Sequence, residues 1–258
     1  MRLKLSSKMA AYFGAALFCA GLSGCATPPP ADDPEAVAEF EQINDPLEPM
    51  NRAIFSFNQG VDTVVLRPVA KGYRAVVPAF GRDRISDILD NLKSPFVFAN
   101  QVLQGNLDYA GVTLVRFVLN STFGVLGIAD VATPMGLPGR DADFGMTLAA
   151  WGAGEGPYLM LPILGPSNPR DGIGVAVDWF ADPVDIYLSN HDAEWAVWTR
   201  AGVSGVVARE EALDLLDNLE RTSLDYYAAL RGVYRQNRAR VIEDAIRARP
   251  EKTLPARP

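Results

Sequence analysis

The side chains able to do chemistry in this sequence are few, and their grouping says more than their number. Along INDPLEPMNRAIFSFNQGVD, residues 43–62, the polar groups Asn51, Asn58, Gln59 and Asp62 recur beside a greasy helical stripe. Periodicity alone leaves open whether this polar edge faces a protein core, water, a loop or lipid. Hydrolysis is poorly provided for: His191 is the only histidine and no G-x-S-x-G elbow occurs. With Cys19 and Cys25 the only cysteines, zinc would lack its usual ligands, and no residue pattern asks for another metal or a cofactor. The series Gly152, Gly154, Gly156 in WGAGEGPY lacks the lysine and the following helix pattern of a phosphate-cradling loop. Backbone freedom beside the stiff Gly156-Pro157 pair makes it a turn, or a candidate gate or hinge.

The elements that position these groups are helical. Asp45 is placed to cap a helix with Pro46 in the first turn and Glu48 at the third position. Behind it Leu47, Met50, Ile54, Phe57, Val61 and Val64 recur at spacings of three and four. On a helical wheel Asn51 and Asn58, seven residues apart, fall about 20° from each other at the edge of that stripe. Phe55 lies farther round, on the polar side. Further helices are expected from Pro68 to Pro78, from Arg82 to Lys93 and from Ser94 to Gln104. Leu107–Asn120 is apolar nearly all round, which predicts burial or contact with lipid. Glycines and prolines interrupt 124–138 and 152–169. A short helix is expected after Asp171, a weaker one over Trp195–Val207, and long helical patterns over Glu210–Arg249. Strand alternation is scarce, so the fold class is all-α with Gly/Pro-rich loops, and no repeat period is visible.

The N-terminus reads as a secretory signal. Arg2, Lys4 and Lys8 precede an uncharged apolar run, Met9–Leu22, too short to cross a bilayer. It ends in Leu22-Ser23-Gly24-Cys25, which resembles the lipobox of bacterial lipoproteins, where the cysteine carries the lipid anchor. Residues 1–24 are then a lipoprotein signal peptide. Residues 25–42, with their prolines and acids, are an extended tether, 43–247 a helical domain, and 248–258 a disordered tail. Ala26 after the anchor, rather than Asp, points to the outer membrane in lipoproteins of this kind. Removing 1–24 takes three cations with it and moves the formal charge from −7 to −10, so nucleic acid is not an expected partner.

Three stretches then carry a resemblance: NDPLEPMNRAIFSFNQGVD at 44–62, GAGEGPYLMLPILGPSNPRDGIG at 152–174, and SLDYYAALRGVYRQNRARVI at 223–242. In order and spacing they are similar to the MlaA (VacJ) family of outer-membrane lipoproteins. The resemblance implies a ring of amphipathic helices lying in the outer membrane around a polar channel for phospholipid head groups. It implies transfer of misplaced phospholipid to a soluble periplasmic carrier of the MlaC type, and a trimeric porin as neighbour. Asn51, Asn58, Gln59 and Asp62 then become candidate channel lining, and Gly152, Gly154 and Gly156 the candidate gate. Two other classes stand beside this one. A lipid hydrolase would need a nucleophile and base that the sequence does not display; a structural, porin-associated lipoprotein would conduct no lipid and would tolerate apolar residues at the amide positions.

Overall fold

A computed structural model describes residues 43–247 continuously, together with 29, 30, 33, 35, 37 and 40. The signal peptide, Cys25 and the C-terminal tail lie outside the described residues. Within the expected extended tether, residues 35, 37 and 40 are instead helical, with Val37 N–H donating to the Asp33 carbonyl at 3.1 Å. The prolines stop at Pro34, and the EAVAEFEQ run behind them consists largely of good helix formers.

The described residues are all-α apart from one small hairpin. Its helices are α1 (Glu48–Val61), α2 (Arg67–Val76), α3 (Ala79–Leu103), α4 (Leu107–Thr122), α5 (Phe144–Ala150), α6 (Pro169–Ala181), α7 (Pro183–Asn190), α8 (Glu194–Glu211), α9 (Leu213–Thr222) and α10 (Tyr226–Arg247). A π-helical turn, Asp62–Leu66, runs between α1 and α2. Strands β1 (Leu159–Leu161) and β2 (Gly165–Ser167) pair antiparallel, with Met160 opposite Pro166. Helix α1 starts at Glu48, not directly after Asp45. The Asp45 carbonyl accepts from Glu48 N–H at 3.2 Å, and its carboxylate accepts from Asn51 at 2.7 Å.

The break expected at Ser94-Pro95 does not occur; α3 runs through Pro95. Proline removes one hydrogen bond and costs about 3 kcal/mol in a helix interior. Buried Asn91, Phe96, Val97, Asn100 and Gln101 tie the helix down on both sides of it. Helix α7 was not expected at all, although Asp182 caps it, accepting from Val184 N–H at 2.9 Å, with Pro183 in its first turn.

Contact clustering divides the chain into two compact units. One comprises the residues up to Gly60 together with 156–169: α1 nearly to its end, and the hairpin. The other holds 61–155 and 170 onward. In this larger unit α3 packs along α4, α8 packs on α2 and α7, and α10 on α5 and α9. Its interior is unusually polar. Gln101 accepts from Thr113 at 2.7 Å, Thr147 donates to Asn100 at 2.8 Å, and Gln104 donates to Thr147 at 3.1 Å. Helices α5 and α6 meet at two glycines: a Cβ on Gly174 would lie 2.5 Å from the Gly145 nitrogen. Over that crossing Arg238 of α10 donates to Asp143 at 2.7 Å and to Asp171 at 2.9 Å.

Apolar and polar side chains are distributed the opposite way from a water-soluble globule. Among the described residues twelve hydrophobic side chains are buried, four of them alanine, against eighteen polar or charged ones. Large hydrophobics face outward instead: Phe80 is 73% exposed, Leu126 75% and Trp198 75%. Helix α4 follows suit, with Leu107, Leu114, Val115 and Val118 all exposed, and so does the α1 stripe at Phe57 and Val64. No described helix is long and apolar enough to cross a membrane.

Candidate functional site

In the smaller unit three asparagines at seven-residue spacing grip one extended segment. Asn44 donates to the Gly156 carbonyl at 2.7 Å, and its own carbonyl accepts from Tyr158 N–H at 2.8 Å. Asn51 donates to the Tyr158 carbonyl at 3.0 Å and accepts from Met160 N–H at 2.9 Å. Asn58 donates to the Leu161 carbonyl at 2.9 Å and accepts from Ile163 N–H at 2.7 Å. The repeat has a geometric cause. Seven residues of α-helix advance about 10.5 Å, and three residues of strand about 10 Å, so from Asn51 to Asn58 the contact moves three residues on, from Tyr158 to Leu161, while Asn44, ahead of α1, holds the segment two residues before the Asn51 contact. The Asn51 and Asn58 amides act as a missing strand would, each donating to one carbonyl and accepting from the N–H two residues later, and Asn44 does the same with its amide as donor and its backbone carbonyl as acceptor. Ile163 has φ of 67°, a left-handed conformation that a β-branched residue avoids, and the Asn58 bond holds it there.

Asn51, an expected channel-lining residue, is turned onto this segment. It has 0% exposure, and its side-chain amide bonds Asp45 and the hairpin segment. Asn58, half-buried, does the same work one step along. Gln59 is half-buried on the next position. Asp62 stands elsewhere, in the larger unit. Arg209 grips it with two bonds of 2.6 and 2.9 Å, and Arg67 lies 3.3 Å away. Burial works against that carboxylate's charge, but the two guanidiniums prevail and hold its pKa below the usual value. Of the three candidate gate glycines, Gly152 and Gly156 have φ of 96° and 72°, and no neighbour would obstruct a Cβ on Gly152 or Gly154.

The larger unit contains a charged cleft that the sequence did not reveal. One cavity of about 300 Å³ lies among Asp90, Lys93, Thr113, Arg116, Asp130 and Arg140. A second, of about 440 Å³, lies among Ser86, Lys93, Asp141, Arg200, Ser204 and Glu211. They share Asp90, Lys93 and Asp141, and the Lys93–Asp141 ion pair, 3.1 Å long, sits at their junction. Most of the lining charge is balanced locally. Arg116 donates to Thr133 at 2.9 Å, to Asp130 at 3.0 Å and to the Leu137 carbonyl. Desolvation raises the Asp130 pKa, but hydrogen bonds from Thr133, Arg116 and Asn120 outweigh it and keep the carboxyl ionised far below its ordinary range. Arg200 reaches Asp185 at 2.6 Å and Asp182 at 2.7 Å. Such a cleft can solvate an ionic group in passing. The described residues contain no cluster of His, Cys, Asp and Glu able to hold a metal ion.

Comparison with known proteins fits this picture. A family model described as MlaA lipoprotein matches residues 43–241. The chain is 37% identical over 201 residues to the Escherichia coli (strain K12) protein named intermembrane phospholipid transport system lipoprotein MlaA, covering 75% of this chain and 76% of that one. The Haemophilus influenzae protein of the same name is 32% identical over 253 residues, 93% of this chain and 94% of its own. An uncharacterised Rickettsia felis protein is 34% identical over 197 residues, 76% of this chain and 77% of its own. A solved structure, described under "Structural basis for maintenance of bacterial outer membrane lipid asymmetry", superposes with a TM-score of 0.66 at 36% identity. It covers 77% of this chain and 98% of its own. The chain belongs to the MlaA lipoprotein family.

Proposed function

We propose that this lipoprotein, anchored through Cys25, sits in the outer membrane and removes misplaced phospholipid from the outer leaflet. It hands the lipid to a soluble periplasmic carrier of the MlaC type, beside a trimeric porin, and so keeps the two leaflets different. The family supplies the cargo. The observation that carries the reading is the inverted burial: amides and charges inside, with large apolar side chains such as Phe80, Leu126 and Trp198 outside. Exposed hydrocarbon on this scale is costly in water and welcome among acyl chains. A lipid head drawn into hydrocarbon loses several kcal/mol of hydration, and the cleft around Lys93 and Asp141 offers it charge and water. The tails stay on the apolar exterior, the movement follows the lipid gradient, and no nucleotide is consumed. Gln59 and Asp62 are candidate lining groups, Gly152, Gly154 and Gly156 the candidate gate, while Asn51 and Asn58 fix the hairpin.

Deleting the gene should raise the phospholipid that added phospholipase can cleave on intact cells several-fold. The native chain, but not a Cys25→Ser chain, should restore it. An unchanged level in the deletion strain would refute transport.

A further inference from the structure

Two ionic side chains of opposite sign stand uncommitted in the 300 Å³ cavity. The guanidinium of Arg140 is exposed and makes no hydrogen bond or ion pair among the described residues. It lies over Tyr109, with Cζ 4.4 Å from the ring centroid. Its backbone is fixed, since the Arg140 carbonyl accepts from the buried Gln101 amide at 3.0 Å. The carboxylate of Asp90 likewise forms no ion pair among the described residues, and only its backbone carbonyl is engaged, by Ser94 at 2.9 Å. Burial, and then the charge of Asp141, raise the Asp90 pKa, with Lys93 opposing. An unpaired carboxylate at the cavity mouth, with the acid Asp141 near it, gains from a cation. A third cavity, of about 200 Å³, adjoins the first and is lined by Tyr109, Val112, Thr113, Pro138 and Arg140. Thr113 and Arg140 border both. Arg140 therefore stands where a charged space meets an apolar one.

We propose that these two cavities together bind a zwitterionic phospholipid, with its phosphate on Arg140, its ammonium on Asp90, and the start of an acyl chain against Tyr109, Val112 and Pro138. This rests on the transport reading and names the cargo. The guanidinium fork matches two phosphate oxygens, and stacking on Tyr109 holds it ready. Asp90 provides the discrimination. An ammonium head satisfies it, whereas a phosphoglycerol head, whose only charge is the phosphate, leaves the Asp90 carboxylate without a cation. Free phosphate lacks both the ammonium and the tail.

The test uses the full lipidated chain held in amphipol, titrated calorimetrically with water-soluble dihexanoyl phosphatidylethanolamine, dihexanoyl phosphatidylglycerol and inorganic phosphate. The ethanolamine lipid should bind at least tenfold tighter than the glycerol lipid, and inorganic phosphate should not compete at equal concentration. Asp90→Asn should erase the preference, and Arg140→Gln should weaken both lipids at least tenfold while Arg140→Lys recovers part of the loss. Equal affinity of the native chain for the two lipids overturns the proposal without any variant. So does full competition by phosphate alone, or ethanolamine-lipid binding unchanged in Arg140→Gln. Clearance of surface phospholipid by the same native chain, assayed in cells, separates the two ideas. Clearance with equal lipid affinities sinks only this site, whereas absent clearance sinks transport itself.

Discussion

Replacing Asn51 by alanine removes the central rung of the asparagine ladder. Three bonds disappear together: to the Asp45 carboxylate at 2.7 Å, the Tyr158 carbonyl at 3.0 Å and the Met160 N–H at 2.9 Å. The partners are sealed from water, since Asp45 is 1% exposed and Tyr158 and Met160 2% each. A buried group left without its partner costs about 1–3 kcal/mol. Two backbone groups and one carboxylate then give a loss of about 3–5 kcal/mol for the attachment of the hairpin. At 1.4 kcal/mol per tenfold, the Met160 amide should exchange with deuterium at least about 100-fold faster. Asn58→Ala removes two bonds at a wetter position and should accelerate Ile163 roughly tenfold. Hydrogen exchange on the full chain, read over 157–164, measures both. Acceleration below tenfold for Asn51→Ala, or a larger effect from Asn58→Ala, would refute the claim that α1 holds the hairpin by buried amide bonds.

Gly174→Ala should destabilise the chain by about 1–3 kcal/mol, because its Cβ would meet the Gly145 backbone at 2.5 and 2.8 Å, and backbone cannot step aside. Gly111→Ala on α4, where nothing lies within 4 Å, should be neutral or stabilising in the same thermal melt. Asp178 provides a test by pH. Burial, then the nearby Asp143 charge, push its carboxyl up to about 6 from 3.8, against the Phe144 N–H bond and the cations Lys93 and Arg238. The folded state thus binds this proton more tightly than the unfolded chain, so stability falls as pH rises from about 4 to 6. Asp178→Asn keeps an acceptor for Phe144, should flatten that fall, and should gain roughly 1–3 kcal/mol at pH 7 after allowance for solvent. An unchanged slope in pH-dependent melts would show that Asp178 does not titrate there.

The sequence made the helices legible wherever an apolar period of three and four ran for several turns, as in α1, α4 and α10. It misplaced boundaries where one local signal met a tertiary one. Pro95 marks a break by its chemistry, yet the packed Asn91, Phe96 and Asn100 override it. Helix α7 spans eight residues, too few for a period to emerge, although its Asp-Pro start was in view. The ladder was half legible: the spacing of Asn51 and Asn58 was plain, but their partners lie more than a hundred residues away, and no local rule names them. Separation along the chain hid the charged cleft as well. Asp90, Thr113 and Arg140 come from a helix, a second helix and a loop, each ordinary in its own surroundings.

A core joined by amides rather than packed with hydrocarbon has a thermal consequence. The heat capacity released on unfolding comes chiefly from wetting apolar surface. This chain hides little of it and leaves its large hydrocarbon side chains on the outside. Its stability curve should therefore be shallow, with little loss on cooling.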